Sequence, residues 1–370
     1  MTDKRLGFGE ALALTRMPAS GSIRRFASQQ PAWKPGDRLP WKTIPRSLQH
    51  LSIGQEKTGS YGGHVFAQAA LAAARTVEVE QGEHGEHGSL SIHTIQGVFS
   101  GRGRIDRPYV YDVSPLYSGK SFATMLVNSR QPKQPSEKPQ CPFPTPDAHV
   151  ALDQVCFSCI TTLKRRVPTV IDLQQSPSVQ ERFADILTSM TPDQWQPSPQ
   201  LDMDAVNDLF KDAGLGDFPV LEMRKVDMKA FNHGKPVFER VELIYYRPLE
   251  RLPPGDVNVH IVCHAYGADR NGLLMLANHI ELGQNIKRIA SLSFSFYVHV
   301  NAEEALMDDD GWWLQEVRWP RVSANRCMME SKLWSPGGKH VATAYQDGIV
   351  APIEGEPLET RTRVLAKSRM

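Results

Sequence analysis

The distribution of apolar and polar positions along the chain predicts many strands and few helices. Short runs rich in β-branched and aromatic residues, bounded by glycine, proline or serine, are typical of strands. In the first half these runs are "SLSIHTIQGVFS", "YVYDVSPLY", "SFATMLVNSRQ" and "HVALDQVCFSCITTLKR". In the second half they are "VFERVELIYYRPL", "VNVHIVCHAYG", "KRIASLSFSFYVHV", "GWWLQEVRWPRVSANRCMMESKLWS" and "KHVATAYQDGIV". The turn signal Ser118-Gly119-Lys120 predicts a hairpin between two of them.

One predicted helix is unusual because almost all of its side chains are small and apolar. The stretch "YGGHVFAQAALAAARTV", from Tyr61 to Val77, carries no charged residue before Arg75. A helix without a polar face is expected to be buried on all sides. Gly62 and Gly63 predict a start that is free of Cβ atoms, where the first helical N–H groups carry partial positive charge.

The two halves of the chain follow the same plan of a helix, a long strand and a meander. "IHTIQGVFS" precedes the hairpin "YVYDVSPLYSGKSFATMLVNS", and "LSFSFYVHV" precedes "WWLQEVRWPRVSANRCMMESKLW". A short helix is expected in "NGLLMLANHI". The plan indicates an internal duplication and an α+β fold rather than alternating βαβ units.

Composition divides the chain into five parts. Residues 1–40, rich in Ser, Arg, Pro and Gly, are expected to form an N-terminal extension, followed by a first folded unit over residues 41–167. Residues 168–217 are expected to form a helical connector, because "SPSVQERFADILTSM" begins with a Ser-x-x-Glu capping signal and "LDMDAVNDLFKDAGLG" ends in glycine. A second folded unit over residues 218–352 and a tail over residues 353–370 complete the chain.

Charge and composition exclude several classes of function. The 370 residues carry a net charge of +1, so no electrostatic field favours nucleic acid as a partner. The longest apolar run, "AQAALAAA", is far shorter than the ~20 residues that span a bilayer. The five cysteines are sparse and odd in number, which argues against a disulfide framework.

No metal or other cofactor is expected. Cys156 and Cys159 form a lone C-x-x-C without the second pair of ligands that a zinc site needs. His84 and His87 lie in the low-complexity stretch "VEVEQGEHGEHG", which is expected to be a solvated loop.

Both ends of the chain resemble targeting signals. Ser368-Arg369-Met370 is a conservative variant of the Ser-Lys-Leu signal and predicts a peroxisomal location. The stretch from Met1 to Gln30 has several arginines and serines and few acids, as mitochondrial transit peptides do. A mitochondrial or cytoplasmic location is therefore the alternative.

The segment "YGGHVFAQAALAAA" resembles the one that opens the central helix of type II acyl-CoA thioesterases. The resemblance extends over residues 41–350, and it includes the hairpin "YVYDVSPLYSGKSFATMLVNSRQ" and the closing "VATAYQDGIV". It implies a double hotdog: two antiparallel sheets, over residues 41–167 and 218–352, each wrapped around a central helix and packed as a pseudo-dimer. It also implies hydrolysis of fatty or related acyl-CoA to free acid and CoA. We expect a homodimer, which would cover further sheet edges.

The same resemblance places three catalytic residues in the second half. "AYGADRNGLLMLANH" places an aspartate at Asp269, opening the second central helix; "IASLSFSFYVH" places a hydroxyl at Ser291; and "VATAYQDGIV" places an amide at Gln346. Asp269 would activate a water molecule that Ser291 and Gln346 hold. Each has a simpler interpretation, as a helix N-cap, an inward strand serine and a solvent-facing strand residue.

The resemblance also implies residues that bind substrate. Substrate-binding positions are expected at Gly62, Gly63, His64 and Gly272, with Val65, Phe66 and Leu273 beside the acyl chain. The CoA phosphates would need basic residues at the rim, for which the candidates are Arg102, Arg104, Arg107 and Lys120.

The sequence departs from the family pattern after Ser291. The family usually has an aspartate and a histidine there, whereas this chain has Leu292, Ser293 and Phe294, and Ser293 is the alternative hydroxyl. A hydratase would need a histidine five residues after Asp269, where Leu274 stands. Gly119-Lys120-Ser121-Phe122-Ala123 lacks the second glycine of a serine-hydrolase elbow.

Two alternatives to a general acyl-CoA thioesterase remain open. One is a catalytically weakened acyl-CoA-binding or scaffold protein. The other is a pathway-specific thioesterase of secondary metabolism.

Overall fold

In the computed structural model, residues 5–44, 58–81, 90–139, 142–210, 218–270, 272–280, 286–307 and 311–352 are described. The helices are α1 (Phe8–Ala11), α2 (Gly62–Gln81), α3 (Val179–Arg182), α4 (Ala184–Leu187), α5 (Asp204–Leu209), α6 (Lys229–Asn232), α7 (Val257–Ala268) and α8 (Gly272–His279). Short 3₁₀ helices occupy Trp41–Thr43, Thr145–His149, Pro192–Gln194, Val237–Glu239 and Ala302–Ala305. His84, His87 and the terminal Ser368-Arg369-Met370 lie outside the described residues.

The strands account for most of the regular structure. They are β1 (Leu14–Ser20), β2 (Ile23–Ser28), β3 (Leu90–Phe99), β4 (Val110–Ser118), β5 (Phe122–Arg130), β6 (Phe157–Arg165), β7 (Gln196–Pro197), β8 (Leu221–Lys225), β9 (Glu242–Pro248), β10 (Ile286–Val298), β11 (Trp313–Ser323), β12 (Arg326–Trp334) and β13 (His340–Pro352). The predicted hairpin on either side of Gly119 is confirmed as β4 and β5, which pair antiparallel.

These strands form one antiparallel sheet of thirteen strands, in the order β1-β2-β4-β5-β6-β3-β10-β13-β12-β11-β9-β8-β7. The halves of the chain meet where β3 pairs with β10 and Phe294 lies opposite Gly97. Outward from this seam, the first half runs β3, β6, β5, β4 and the second runs β10, β13, β12, β11. The strand order is therefore the same on both sides, in agreement with the duplicated plan of the sequence.

The first central helix, α2, is buried as its sequence predicts. Phe66, Ala69 and Ala73 are 0% exposed, and the helix packs against β3, β4, β5, β6 and α7. The ring of Phe66 lies 4.5 Å from that of Phe294 and 6.1 Å from that of Phe157. Full burial of such a side chain contributes ~1.5–3 kcal/mol, so α2 anchors the first half of the sheet.

The second central helix corrects a prediction from the sequence. "VNVHIVCHAYG", expected to be a strand, forms the helix α7 instead. Its β-branched residues favour strands. However, every residue from Asn258 to Ala268 is buried, and a helix buried on all sides has no polar face to reveal its period. Asp256 caps it, because its carboxylate accepts the Val259 N–H at 3.2 Å.

The helices α2 and α7 pack antiparallel, which brings the start of one beside the end of the other. Gly63, at the start of α2, contacts Asp269, just beyond α7. At the far end, Arg75 donates to Asp256 and, at 2.7 Å, to Glu78. Asn258 donates to the same Glu78 at 3.0 Å. This polar network holds the two halves of the chain together at the end of the helix pair away from Asp269.

The segment of residues 1–40, expected to be an N-terminal extension, contributes two strands to the sheet. The strand β2 pairs with β4 and adds β1 as the outermost strand on that side. Phe8 is 1% exposed, and its ring lies 5.7 Å from that of Tyr266 on α7. Most residues of β1 are exposed or half-buried and the two arginines of β2 are half-buried, as is common near the edge of a sheet.

The helices in the described part of the connector, residues 168–210, are all short, and the two-residue strand β7 lies between them. Ser178 and Glu181 form the capping box that the sequence predicts at the start of α3. Arg182 then donates with both guanidinium arms to Glu316 on β11, at 2.9 and 2.6 Å. This ion pair fastens the connector to the second half of the sheet.

Candidate active site

The three candidate catalytic side chains meet at the start of α2. Asp269 Oδ2 accepts the backbone N–H of Gly63 at 2.6 Å. The amide nitrogen of Gln346 on β13 donates to Asp269 Oδ1 and, at 2.7 Å, to the hydroxyl oxygen of Ser291 on β10. One amide group therefore joins the aspartate to the serine, and the first half of the chain supplies Gly63.

The position of Asp269 differs from the prediction that it opens the second central helix. It is the C-cap of α7, and α8 begins three residues later at Gly272. An N-cap role for Asp269 is thereby excluded. The carboxylate is instead held in the turn between two buried helices, where it accepts one hydrogen bond from Gly63 of the first half and one from Gln346 of the second.

A β-bulge decides which serine of β10 faces the site. Opposite β13, Ser291 pairs with Gly348 and Ser293 with Asp347, so Leu292 is the extra residue. Phe294 pairs with Gln346, and both are buried on the inner face. The bulge therefore turns Ser291 to that inner face and Ser293 to the outer one. Ser293, the alternative hydroxyl, therefore does not face Asp269 and Gln346.

Burial sets the protonation of the site. Asp269 is 7% exposed, and this desolvation raises its pKa to about 7, although the hydrogen bonds from Gly63 and Gln346 and the charge of Arg270 oppose the rise. The hydroxyl of Tyr61 donates to the carbonyl of Tyr266 at 2.5 Å. Burial raises the pKa of Tyr61 well above its ordinary value, so that phenol stays neutral beside the carboxylate.

The two glycines at the start of α2 are required by close packing. A Cβ atom on Gly62 would lie 3.1 Å from Asp269 Oδ2 and 3.1 Å from the ring of Phe99. A Cβ atom on Gly63 would lie 2.6 Å from the ring of Tyr61. The glycines therefore let the carboxylate approach the helix start, where the backbone carries partial positive charge.

His64 and Gly272, expected to bind substrate, are both packed inside the protein. His64 is 2% exposed, and burial lowers its pKa to about 4, so it is neutral at pH 7. The carbonyl of Gly272 accepts the indole N–H of Trp319 at 2.9 Å, and a Cβ atom there would lie 1.6 Å from the sulfur of Met329. These contacts account for Gly272 without a ligand, whereas the buried Nε2 of His64 has no hydrogen-bond partner in the described part of the chain.

The residues expected beside the acyl chain are core residues, since Val65, Phe66 and Leu273 are 4%, 0% and 5% exposed. Of the four basic residues predicted to bind the CoA phosphates at the rim, Arg107 does not lie at the surface. It is buried and donates to Asp106 and to the carbonyls of Pro132 and Lys133. Arg102, Arg104 and Lys120 are exposed.

Two cavities lie away from the three side chains. One, of about 380 Å³, lies between the N-terminal segment, α2 and the start of α7. The other, of about 510 Å³, lies between the connector, β8 and the end of α8. Asp269, Ser291 and Gln346 line neither of them.

Neither a membrane-spanning helix nor a metal-binding cluster occurs in the described part of the chain. Its helices include none long and apolar enough to cross a membrane. Across the same ranges, no group of three His, Cys, Asp or Glu side chains is placed to hold a metal ion. Burial raises the pKa of the Cys156 and Cys159 thiols to about 11 and about 12.

Sequence analysis missed one buried group beside the site, Arg270. It follows Asp269 directly in the chain and is 1% exposed. Its position next to the candidate aspartate was a signal that could have been used. An arginine is nevertheless so seldom fully buried that the sequence alone favours an exposed side chain.

Family models match most of the chain. The acyl-CoA thioesterase C-terminal domain matches residues 202–350, and the acyl-CoA thioesterase N-terminal domain matches residues 53–141. Together they cover more than half of the 370 residues. A comparison with curated proteins gave no match.

Solved structures share the fold. The acyl-CoA thioesterase II TesB2 from Mycobacterium marinum is 18% identical, with a TM-score of 0.59 over 95% of this chain and 99% of that one. The tesB protein from Mycobacterium avium subs paratuberculosis is 18% identical, with a TM-score of 0.55 over 93% and 98%. A hot dog fold protein from Alicyclobacillus acidocaldarius is 14% identical, with a TM-score of 0.56 over 94% and 98%.

At such identities the solved structures establish a hotdog fold, and the family models establish membership. The chain belongs to the type II, TesB-like family of acyl-CoA thioesterases and is an acyl-CoA thioester hydrolase.

Proposed function

We propose that the chain hydrolyses fatty or related acyl-CoA thioesters with a water molecule that Asp269 deprotonates and that Ser291 and Gln346 position. The observation that carries the proposal is the hydrogen-bonded set at the start of α2. One Gln346 amide donates to both the Asp269 carboxylate and the Ser291 oxygen, the latter at 2.7 Å. Because Ser291 accepts this bond, its own O–H is available to hold a water molecule.

The chemistry suits a carboxylate base. A pKa of about 7 for Asp269 lies near neutral pH, where a general base is most effective. The CoA thiolate, with an ordinary thiol pKa of ~8.5, leaves without strong acid assistance. The N–H groups in the first turn of α2, which starts at Gly62, would stabilise the negative charge that develops on the thioester oxygen.

We further propose that the two halves form a double hotdog packed as a pseudo-dimer. The identical strand order on both sides of the β3–β10 seam supports this arrangement. So does the antiparallel packing of α2 against α7. In such an arrangement the site is shared, with Gly63 from the first hotdog and the three side chains from the second.

Substrate contacts outside the site follow from the exposed basic residues. Arg102 and Arg104 follow β3, whose last residue Phe99 lies beside Gly62, so we propose that they meet the CoA phosphates. A homodimer and a peroxisomal location stay predictions from the sequence.

The proposal is tested by measuring CoA release from a panel of short- to long-chain acyl-CoAs between pH 5 and 9. In wild type, kcat/KM should rise with pH through a midpoint near 7, because only the ionised Asp269 accepts a proton. Asp269→Asn should lower the rate by ~100-fold or more, as expected for a lost general base, and Gln346→Ala should also lower it. Ser293→Ala serves as the matched control.

An active Asp269→Asn variant, or a profile that is flat across this pH range, as an ordinary carboxyl pKa of ~4 would give, would contradict this mechanism. Tight binding of acyl-CoA without CoA release would instead favour the catalytically weakened binding protein. Release from branched or polyketide thioesters alone would favour the pathway-specific enzyme.

A further inference from the structure

Arg270 is a buried cation directly after Asp269 in the chain, and the proposed chemistry does not use it. Its guanidinium donates to the main-chain carbonyl of Gln200 at 3.0 Å and to that of Pro199. It also lies over the ring of Phe218, 4.3 Å from the centroid. Main-chain carbonyls and an aromatic face therefore surround a side chain that is 1% exposed.

Burying a guanidinium costs several kcal/mol unless its partners compensate. The carbonyls and the ring satisfy hydrogen bonds and part of the solvation of Arg270, but they carry no net charge. Its positive charge therefore acts on nearby ionisable groups with little screening, because the surroundings are dry. It lowers the pKa of Asp269, opposite to the effect of burial.

The ionisable groups that face Arg270 come from four segments. They are Tyr61 before α2, Tyr266 on α7, Asp269 in the turn and Asp202 in the connector. Burial raises the pKa of both tyrosines, so they are neutral near pH 7. Asp202 Oδ1 accepts from Lys225 at 2.8 Å, which offsets its charge. Arg270 therefore interacts with two carboxylates, of which Asp269 is the one in the candidate active site.

The contacts of Arg270 also bring the connector to the active site. Pro199 and Gln200 belong to the segment between the two halves, and their carbonyls hold the side chain of the residue that follows Asp269. The turn between α7 and α8 is thus fixed from a second side. The Gly63 and Gln346 hydrogen bonds fix the carboxylate itself from the first side.

We propose that Arg270 is a positioning residue for the hydrolysis, which fastens the turn that carries Asp269 to the connector and holds a positive charge near that carboxylate. The inference rests on the proposed role of Asp269 as the base. It assigns to the connector a part in the active site, through two main-chain carbonyls.

The test compares pH profiles of kcat/KM for CoA release by wild type, Arg270→Gln and Arg270→Lys. An opposite charge nearby changes a carboxyl pKa by ~1–3 units. The midpoint of Arg270→Gln should therefore move up, by as much as about one pH unit, with a loss of up to about tenfold at pH 6 and a smaller loss at pH 9. Arg270→Lys keeps the charge but loses the planar fork. Its midpoint should stay within about 0.3 pH unit of wild type, while kcat falls at every pH.

The matched control is Arg182→Gln, which removes another largely buried arginine, held by Glu316. It should lower the melting temperature and leave the midpoint unchanged. A folded Arg270→Gln variant with an unchanged midpoint would overturn the proposal. If Arg270→Gln does not fold, Arg270→Lys provides the test. A pH midpoint of kcat/KM raised by a full unit in Arg270→Lys, despite the retained charge, would also overturn the proposal. An active Asp269→Asn enzyme would instead refute the proposed function, so the two failures are distinguishable.

Discussion

At the scale of single residues, the burial of Asp269 makes the stability of the folded protein depend on pH. Its pKa rises from an ordinary 3.8 to about 7 in the folded state, chiefly because it is buried. Folding therefore favours the protonated form. The associated stability is complete below the ordinary value and is lost as pH rises through about 7. A pKa difference of this size corresponds to at most ~4 kcal/mol.

Asp269→Asn should consequently be more stable than wild type at pH 8, by ~1–4 kcal/mol, and only slightly more stable at pH 4.5. Denaturant unfolding at the two pH values measures this. The control is Asp185→Asn, which makes the same substitution at an exposed position of α4. A stability difference for Asp269→Asn that does not depend on pH would contradict the raised pKa.

Two serines on β10 provide a comparison of matched residues. The bulge at Leu292 places Ser291 within 2.7 Å of the Gln346 amide and turns Ser293 outward. Ser291→Ala removes a hydroxyl that would hold the attacking water, so kcat should fall by ~10-fold or more. Ser293→Ala should retain activity within about twofold. Steady-state CoA release measures both, and equal losses would show that the register of β10 has been misassigned.

At the scale of elements, the two glycines at the start of α2 face different groups, Gly62 the Asp269 carboxylate and Gly63 the ring of Tyr61. In Gly62→Ala the new methyl group would lie 3.1 Å from Asp269 Oδ2 and displace the carboxylate, so kcat should fall by ~10-fold. In Gly63→Ala it would lie 2.6 Å from the ring of Tyr61. That substitution should cost ~1–3 kcal/mol of stability. The control Gly9→Ala meets nothing within 4 Å. Thermal melts and kcat are measured for each variant. Equal losses of kcat and of stability in the two glycine variants would contradict the separate roles of Gly62 and Gly63.

The elements differ in how far the sequence predicts them. The uncharged run of α2 and the turn at Gly119 carry local signals that tertiary packing does not override. In α7, by contrast, the β-branched residues favour a strand and full burial removes the helical period. The bulge at Leu292 has no local signal, because it arises from pairing with β13. The family resemblance therefore predicts the three candidate residues, but the sequence does not predict the turn and the bulge that bring them together.

At the scale of the whole molecule, the site depends on contacts between distant parts of the chain. Gly63 comes from the first half, Asp269 and its partners from the second, and Pro199 and Gln200 from the connector. The strands β1 and β2 escaped prediction because both carry several polar residues, and β1 lies at the edge of the sheet, where strands are often polar. Such long-range neighbours follow from sheet order, which local sequence patterns do not specify.

The polar network at the far end of the helix pair tests how firmly the halves are joined. Arg75 binds Asp256 across the two halves, and α7, of 12 residues, separates Asp256 from Asp269 by ~18 Å. Arg75→Met and Asp256→Asn should each lower the free energy of unfolding, and the double variant should lose ~0.5–1 kcal/mol less than the sum of the two. The pH midpoint of CoA release should not move, because neither residue contacts the site.

Urea unfolding of wild type, both single variants and the double variant gives this coupling energy. Glu78→Gln is the matched control, since Glu78 binds Arg75 within α2 as well as Asn258 on α7. Strictly additive losses of unfolding free energy would mean that Arg75 and Asp256 contribute separately. The halves would then be joined by the β3–β10 seam and the buried faces of α2 and α7, without this ion pair. A shifted pH midpoint in any of the variants would mean that the far end of the helix pair influences Asp269 through α7.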